Sequence, residues 1–310
     1  MTSGAIDVHA HWFPPLVVEA FERLGSRRAW PQHGDSLAER AAGLAESTFS
    51  TQIIGLGHNQ PNFDDRRASL ECAQLCNDLY ATEITKYPSL FRAFAALPLP
   101  HIEDSLAEAA RCLDDHGFAG VGIGTTVCGM SLSNTIFDPL WSYLDHRGSV
   151  VFVHPVGTPD TMTTGMDEFL LGPKFGGPHE MGVAGIHLIV SGVTLRWPNI
   201  KWILAPMGGT LTYLWRRFEE ISQSLSQTSL LVNNFDEAVR NVYFDTTLTD
   251  DPAVLEFAVK AIGADKLVIG TDAPRVEPAA WLQAITTGLA ITGADIDAIQ
   301  HRTARAELGL

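Results

Sequence analysis

Eight short apolar runs, each followed by a polar break and a longer segment of helical spacing, constrain this chain more than any other feature. They are Ala5–Ala10, Thr51–Leu56, Arg92–Leu97, Gly120–Gly124, Val150–His154, Lys201–Ala205, Asn241–Asp245 and Lys266–Thr271. The runs are short, often β-branched, and bounded by Gly, Pro, Asp or Asn, which is how buried strands read. Strands separated by helices need crossover connections and therefore lie parallel. The pattern predicts an α/β fold, either a barrel or an open doubly wound sheet.

Two helices have legible ends. Ser105 to His116 carries Leu106, Ala109, Ala110 and Leu113 on one face, with Asp104 as the expected cap and Gly117 as the stop. A later helix is expected to start at Asp250-Asp251-Pro252, with proline in the first turn, and to end at Gly263. Two stretches break the pattern: the polar Arg28–Arg40, and Gly157–Met181, rich in Gly, Pro, Thr and Met. A long irregular stretch after the fifth strand is expected to form a lid or binding loop. No linker interrupts the alternation, so residues 1–310 are read as a single domain.

Hydrophobic residues make up 45% of the chain and charged residues 18%, enough for a large core. A net charge of -15 excludes nucleic acid and anionic membrane surfaces as partners, since both demand a basic face. No secretory signal is visible at the N-terminus, and the longest apolar stretch, Val183–Leu195, is too short to span a bilayer. Cys72, Cys76, Cys112 and Cys128 form no CxxC pair, and Cys72 and Cys76 are spaced to share one buried helix face. Free thiols suit a reducing compartment, and a cytoplasmic protein is expected.

The chemistry lies at the strand ends. Ile6-Asp7-Val8-His9-Ala10-His11 places two imidazoles two residues apart, hence on one side of a strand. Val151-Phe152-Val153-His154 ends an apolar strand in a third histidine, and Leu267-Val268-Ile269-Gly270-Thr271-Asp272 ends the last one in a carboxylate. In a barrel these ends meet at one mouth, where three imidazoles and a carboxylate suit one divalent ion.

Several segments, in order, carry a resemblance along nearly the whole chain: IDVHAHWFPP, FRAFAALPLP, FDPLWSYLDHRGSVVFVHP, LIVSGVTLRWPNIKWILAPMGG and VYFDTTLTDDPAVLEFAVKAIGADKLVIGTDAP. The sequence resembles the ACMSD-like (amidohydrolase 2) branch of the amidohydrolase superfamily, and looks most like the 6-methylsalicylate and dihydroxybenzoate-type decarboxylases. The resemblance implies a (β/α)8 barrel, commonly dimeric, holding one Zn2+ or Mn2+ through His9, His11, His154 and Asp272. The fourth strand ends in Gly122-Ile123-Gly124-Thr125-Thr126, without the lysine or glutamate that bridges two metals, which favours a single ion. One departure stands out. Where relatives read Ala-His-x-Gly-Gly after the sixth strand, this chain reads Ala205-Pro206-Met207-Gly208-Gly209, and proline has no group that titrates.

The resemblance implies non-oxidative decarboxylation of a small aromatic or enol-like carboxylic acid, with Asp272 as proton donor. Hydrolysis or hydration on the same barrel is one alternative, and the missing histidine weakens it more; a catalytically altered or silent barrel that binds a metabolite or partner, with Pro206 in the histidine's place, is the other. Trp12 and Phe13 follow the HxH pair and are candidates to stack on an aromatic ring, His58 follows the second strand at the metal end, and Arg275 suits a carboxylate. Arg217 lies where relatives often carry an arginine that reaches across a homodimer. His187 reads as a core histidine in an apolar helix, and His179 is a candidate to replace the absent histidine.

Overall fold

The computed structural model describes residues 4–24, 36–157, 168–169, 171–224, 235–247 and 250–310. Its centre is a ring of eight parallel strands: β1 Ala5–His11, β2 Phe49–Gly55, β3 Phe91–Ala96, β4 Gly120–Gly124, β5 Val150–His154, β6 Lys201–Leu204, β7 Val242–Asp245 and β8 Leu267–Val268. Each pairs with the next in parallel register. The last expected strand is shorter than its apolar run. Beyond Val268 the chain remains hydrogen-bonded to β1, with Val8 N donating to Ile269 O (2.8 Å), Asp272 N to His9 O (2.8 Å) and His11 N to Ala273 O (2.6 Å). These bonds and the Ala10–Ala273 bridge close the barrel. It is a (β/α)8 barrel, with the closed ring chosen over the open sheet by that seam.

Helices α1 Pro15–Arg23, α2 Leu37–Ala45, α3 Arg66–Ile84, α4 Ile102–Ala110, α5 Asp138–Arg147, α6 Gly177–Val190, α7 Val193–Arg196, α8 Thr210–Ser224, α9 Phe235–Val239 and α10 Pro252–Ile262 flank the strands. Among the described residues no helix is long and apolar enough to cross a membrane. α10 has the expected ends, with Asp251 accepting from Ala253 N and Gly263 at φ 98. α4 departs from expectation. It starts at Ile102, so Asp104 lies in its first turn rather than at its cap, and Arg66 holds that carboxylate through Nε at 2.6 Å. An acidic first turn is favourable next to the helix dipole, which allows the earlier start.

Two irregular stretches are partly helical. Residues 28–35 of the first lie outside the described residues, and its end enters α2, where Ser36 and Glu39 form a capping box. In the second, residues 158–167 and 170 lie outside the described residues, whereas Gly177 already begins α6, with Pro178 tolerated in its first turn. The lid reading falls in part on residues 158–167 and 170, outside the described ones, while its end from Gly172 onward is helical. His187 is not a core residue: it is exposed on α6, its Nδ1 bonded to Ser131 Oγ at 2.9 Å. Cys72, Cys76 and Cys112 are fully buried, and burial pushes the Cys72 thiol up to about 12.

Strand alternation sorts the core. Val150 and Phe152 of β5 face the barrel interior with Phe94 and Tyr243, while Val151 and Val153 pack outward beneath the helices. That phase brings His154 inward at the mouth. β1 cannot do the same by alternation alone, because Ile6 and Val8 already occupy the interior. Asp7 pairs with Gln52 and Ala10 with Ile54, so three steps along β1 match two along β2. This bulge switches the phase and turns His9 and His11 inward as well, a common device beside functional sites.

Candidate metal centre

The mouth brings together side chains from both ends of the sequence. His9 and His11 come from β1, His154 from the end of β5 and Asp272 from the turn after β8. His9 Nε2 and His11 Nε2 lie 3.0 Å apart, and Asp272 Oδ1 is 3.1 Å from the His11 nitrogen and 3.7 Å from that of His9. One ligand atom from each of the three histidines falls within 4.8 Å of the others. Asp272 reaches this position with φ 63, and Asp272 N is held by His9 O.

The second ring nitrogen of each histidine has an oxygen partner. His9 Nδ1 donates to Asp245 Oδ2 at 2.5 Å, His11 Nδ1 to Gly55 O at 3.1 Å and His154 Nδ1 to Pro155 O at 2.7 Å. With Nδ1 carrying the proton, each Nε2 can give a lone pair to an ion at the common centre. His11 Nε2 also lies 3.1 Å from Asp272 Oδ1 and donates to it when it carries a proton instead. A tetrahedral ion with bonds of about 2.0–2.1 Å spaces its ligand atoms roughly 3.4 Å apart, close to the separations seen here. The donor set fits one divalent ion.

Electrostatics reflect the crowding. Burial lowers the affinity of His9 for a proton, yet Asp245, Asp272 and Asp7 outweigh it and raise its pKa. His154 is held well below the ordinary imidazole value by burial and by the neighbouring His9, His11 and His58. Burial pushes Asp272 up, but the His11 hydrogen bond and the charges of His9, His11 and Arg275 hold it below the usual carboxylate range.

The remaining predicted residues divide. The His58 ring lies 6.3 Å from His154 and 6.3 Å from Phe13, at the rim of the cluster. Trp12 packs on Tyr80 with ring centroids 5.7 Å apart, and it is Phe13 that stacks on His11, at 5.8 Å. Arg275 turns back on its own loop, Nε 2.8 Å from Asp272 Oδ2. Arg217 is exposed on α8. His179 is exposed, and its neighbour Glu180 is the residue α6 turns inward. Glu180 accepts from Val156 N (3.1 Å), Gly157 N (3.0 Å) and Thr125 Oγ1, tying α6 to the chain that leaves His154.

Sequence reasoning missed Asp245 and Glu180. Asp245 had a legible signal, a carboxylate ending an apolar strand in Val242-Tyr243-Phe244-Asp245, the same pattern that marked His154 and Asp272. Glu180 had none, because its partners depend on how α6 packs.

The chain is similar in sequence and fold to several known proteins. A 6-methylsalicylic acid decarboxylase from Penicillium expansum is 30% identical over 285 residues, covering 87% of this chain and 84% of that protein. The crystal structure of a 2,6-dihydroxybenzoate decarboxylase complexed with 2,6-dihydroxybenzoate superposes with a TM-score of 0.84 at 25% identity, over 99% of each chain. A dihydroxybenzoic acid decarboxylase from a Polaromonas species, solved with manganese and 2-nitroresorcinol, has the same fold (TM-score 0.83, 24% identity, 99% of this chain and 97% of that one). Residues 6–310 match the family model described as amidohydrolase. This chain belongs to the amidohydrolase family.

Proposed function

We propose that this protein is a metal-dependent, non-oxidative decarboxylase of a small aromatic carboxylic acid. The observation that carries the reading is the convergence of the His9, His11 and His154 lone pairs with the Asp272 carboxylate at the barrel mouth. Relatives named as aromatic acid decarboxylases support the reaction class. His9, His11, His154 and Asp272 would hold one Zn2+ or Mn2+, which supplies Lewis acidity toward the carboxylate and an ortho-hydroxyl of the substrate.

The chain's own residues handle the proton. Asp272 is ionised, so the proton it gives to the ring carbon is one it first takes from the substrate hydroxyl. The carbon–carbon bond then breaks, its electron pair returns to the ring as carbon dioxide leaves, and the phenolate regains a proton from water. His58 stands at the rim, placed to touch a ring substituent. Arg275 serves Asp272 before it serves a substrate, because its Nε is already engaged. Trp12 is half-buried against Tyr80. Arg217, exposed on α8, and the homodimer across which it would reach a substrate both belong to this proposal. So do the reading of residues 1–310 as one domain and the cytoplasmic location.

The test is carbon dioxide release from a panel of ortho-hydroxybenzoates, with protein loaded with zinc or with manganese. Release is expected with one of the metals and is expected to disappear in Asp272→Asn. No release at stoichiometric bound metal would replace the decarboxylase with a hydrolase, a hydratase or a binding protein.

A further inference from the structure

Asp245 ends β7 with its side chain fully buried, and its two oxygens face two donors from different parts of the chain. Oδ2 accepts from His9 Nδ1 at 2.5 Å, and Oδ1 accepts from Met207 N at 2.6 Å. Met207 adopts φ 45, a region that non-glycine residues seldom occupy, so its N–H is aimed by an uncommon backbone turn. The preceding Pro206 has no N–H to offer, which leaves Met207 N as the donor this turn aims at Asp245. Gly270 leaves room for the approach: a Cβ there would stand 2.5 Å from Thr247 Oγ1, 2.6 Å from Asp245 Oδ2 and 2.8 Å from His9 Cβ.

We infer that Asp245 is the positioning residue that fixes the tautomer of His9, and that the Ala205–Gly209 loop acts on the site through the Met207 N–H. The inference rests on the reading of the three histidines as a metal centre. An ionised carboxylate offers acceptors only, so it can satisfy both donors at once. His9 Nδ1 then keeps its proton and Nε2 keeps its lone pair for the ion. No isosteric amide can do this. In Asp245→Asn the NH2 group must face one of the two N–H donors. Facing His9, it forces the ring proton onto Nε2; facing Met207, it sets donor against donor and releases the loop.

Asp245→Asn should fold, with the circular dichroism of the parent. Its zinc affinity, measured by competition with a chromogenic chelator, should fall about 10–100-fold. In 15N-histidine spectra of the metal-free protein at pH 8, His9 should move from the Nδ1–H toward the Nε2–H form, or amide exchange at Met207 should accelerate. A purely structural role moves neither. Gly270→Ala, which pushes the carboxylate and imidazole apart without changing charge, should weaken zinc in the same way and decides the matter if the Asn variant fails to fold. His154→Ala is the control, removing a ligand without touching Asp245. Parent-like zinc affinity in Asp245→Asn and Gly270→Ala, with loss in His154→Ala, overturns the inference and leaves the metal centre standing. Parent-like affinity in all three overturns both.

Discussion

Gly57 offers a perturbation whose two effects can be separated. It follows β2 with φ 58, and a methyl group there would overlap the His11 ring, standing 2.7 Å from Nδ1 and 3.0 Å from Nε2. Ordinary Cβ contacts begin at 3.4 Å. The nearest ring atom, Cε1, would stand at 2.3 Å, so the ring has to retreat by about 1 Å, beyond the about ±0.2 Å that metal–ligand bonds tolerate. The left-handed backbone adds its own cost of about 1–2 kcal/mol for a residue with a Cβ. Gly129 provides the comparison, since its φ of 74 imposes the same backbone cost while a Cβ there meets nothing within 4 Å. Both Gly57→Ala and Gly129→Ala should lower metal-free stability by about 1–2 kcal/mol in urea unfolding. Only Gly57→Ala should weaken zinc, by about 10–100-fold in chelator competition. Equal zinc affinity in the two variants would refute the claim that Gly57 gives the His11 ring its room.

Two further outcomes follow from the carboxylates of Glu180 and Asp272. Glu180→Gln keeps the shape but turns an NH2 group toward one of the donors Val156 N, Gly157 N or Thr125 Oγ1, and should cost about 1–3 kcal/mol in urea unfolding; an unchanged midpoint would mean that α6 is not held there. Asp272 has a folded pKa depressed below its unfolded value, so its contribution to metal-free stability is present above the ordinary value of about 3.9 and is lost as pH falls through the folded value. Asp272→Asn should therefore flatten the acid limb of a stability–pH profile measured in chelator, and an acid limb identical to the parent's would contradict the ion pairing with His11 and Arg275.

Much of this protein is local in sequence. The strand–helix alternation, the histidines at the ends of β1 and β5 and the carboxylate after β8 are one-dimensional patterns, because apolar runs and their polar terminators lie next to each other in the chain. Parallel pairing then has to bring those ends to one side. Other features were decided only when distant strands met. The β1 bulge arises from register against β2, and it reconciles apolar Ile6 and Val8 with inward His9 and His11. Asp245 reaches His9 from 236 positions away. Arg275 was free to be read as a substrate contact until the turn after β8 folded it onto Asp272. His187 sits in an apolar run, yet α6 turns it to solvent and turns Glu180 toward the strand ends. Composition sets which residues can be buried, whereas the partner of a buried polar group is set by packing between segments far apart in the chain.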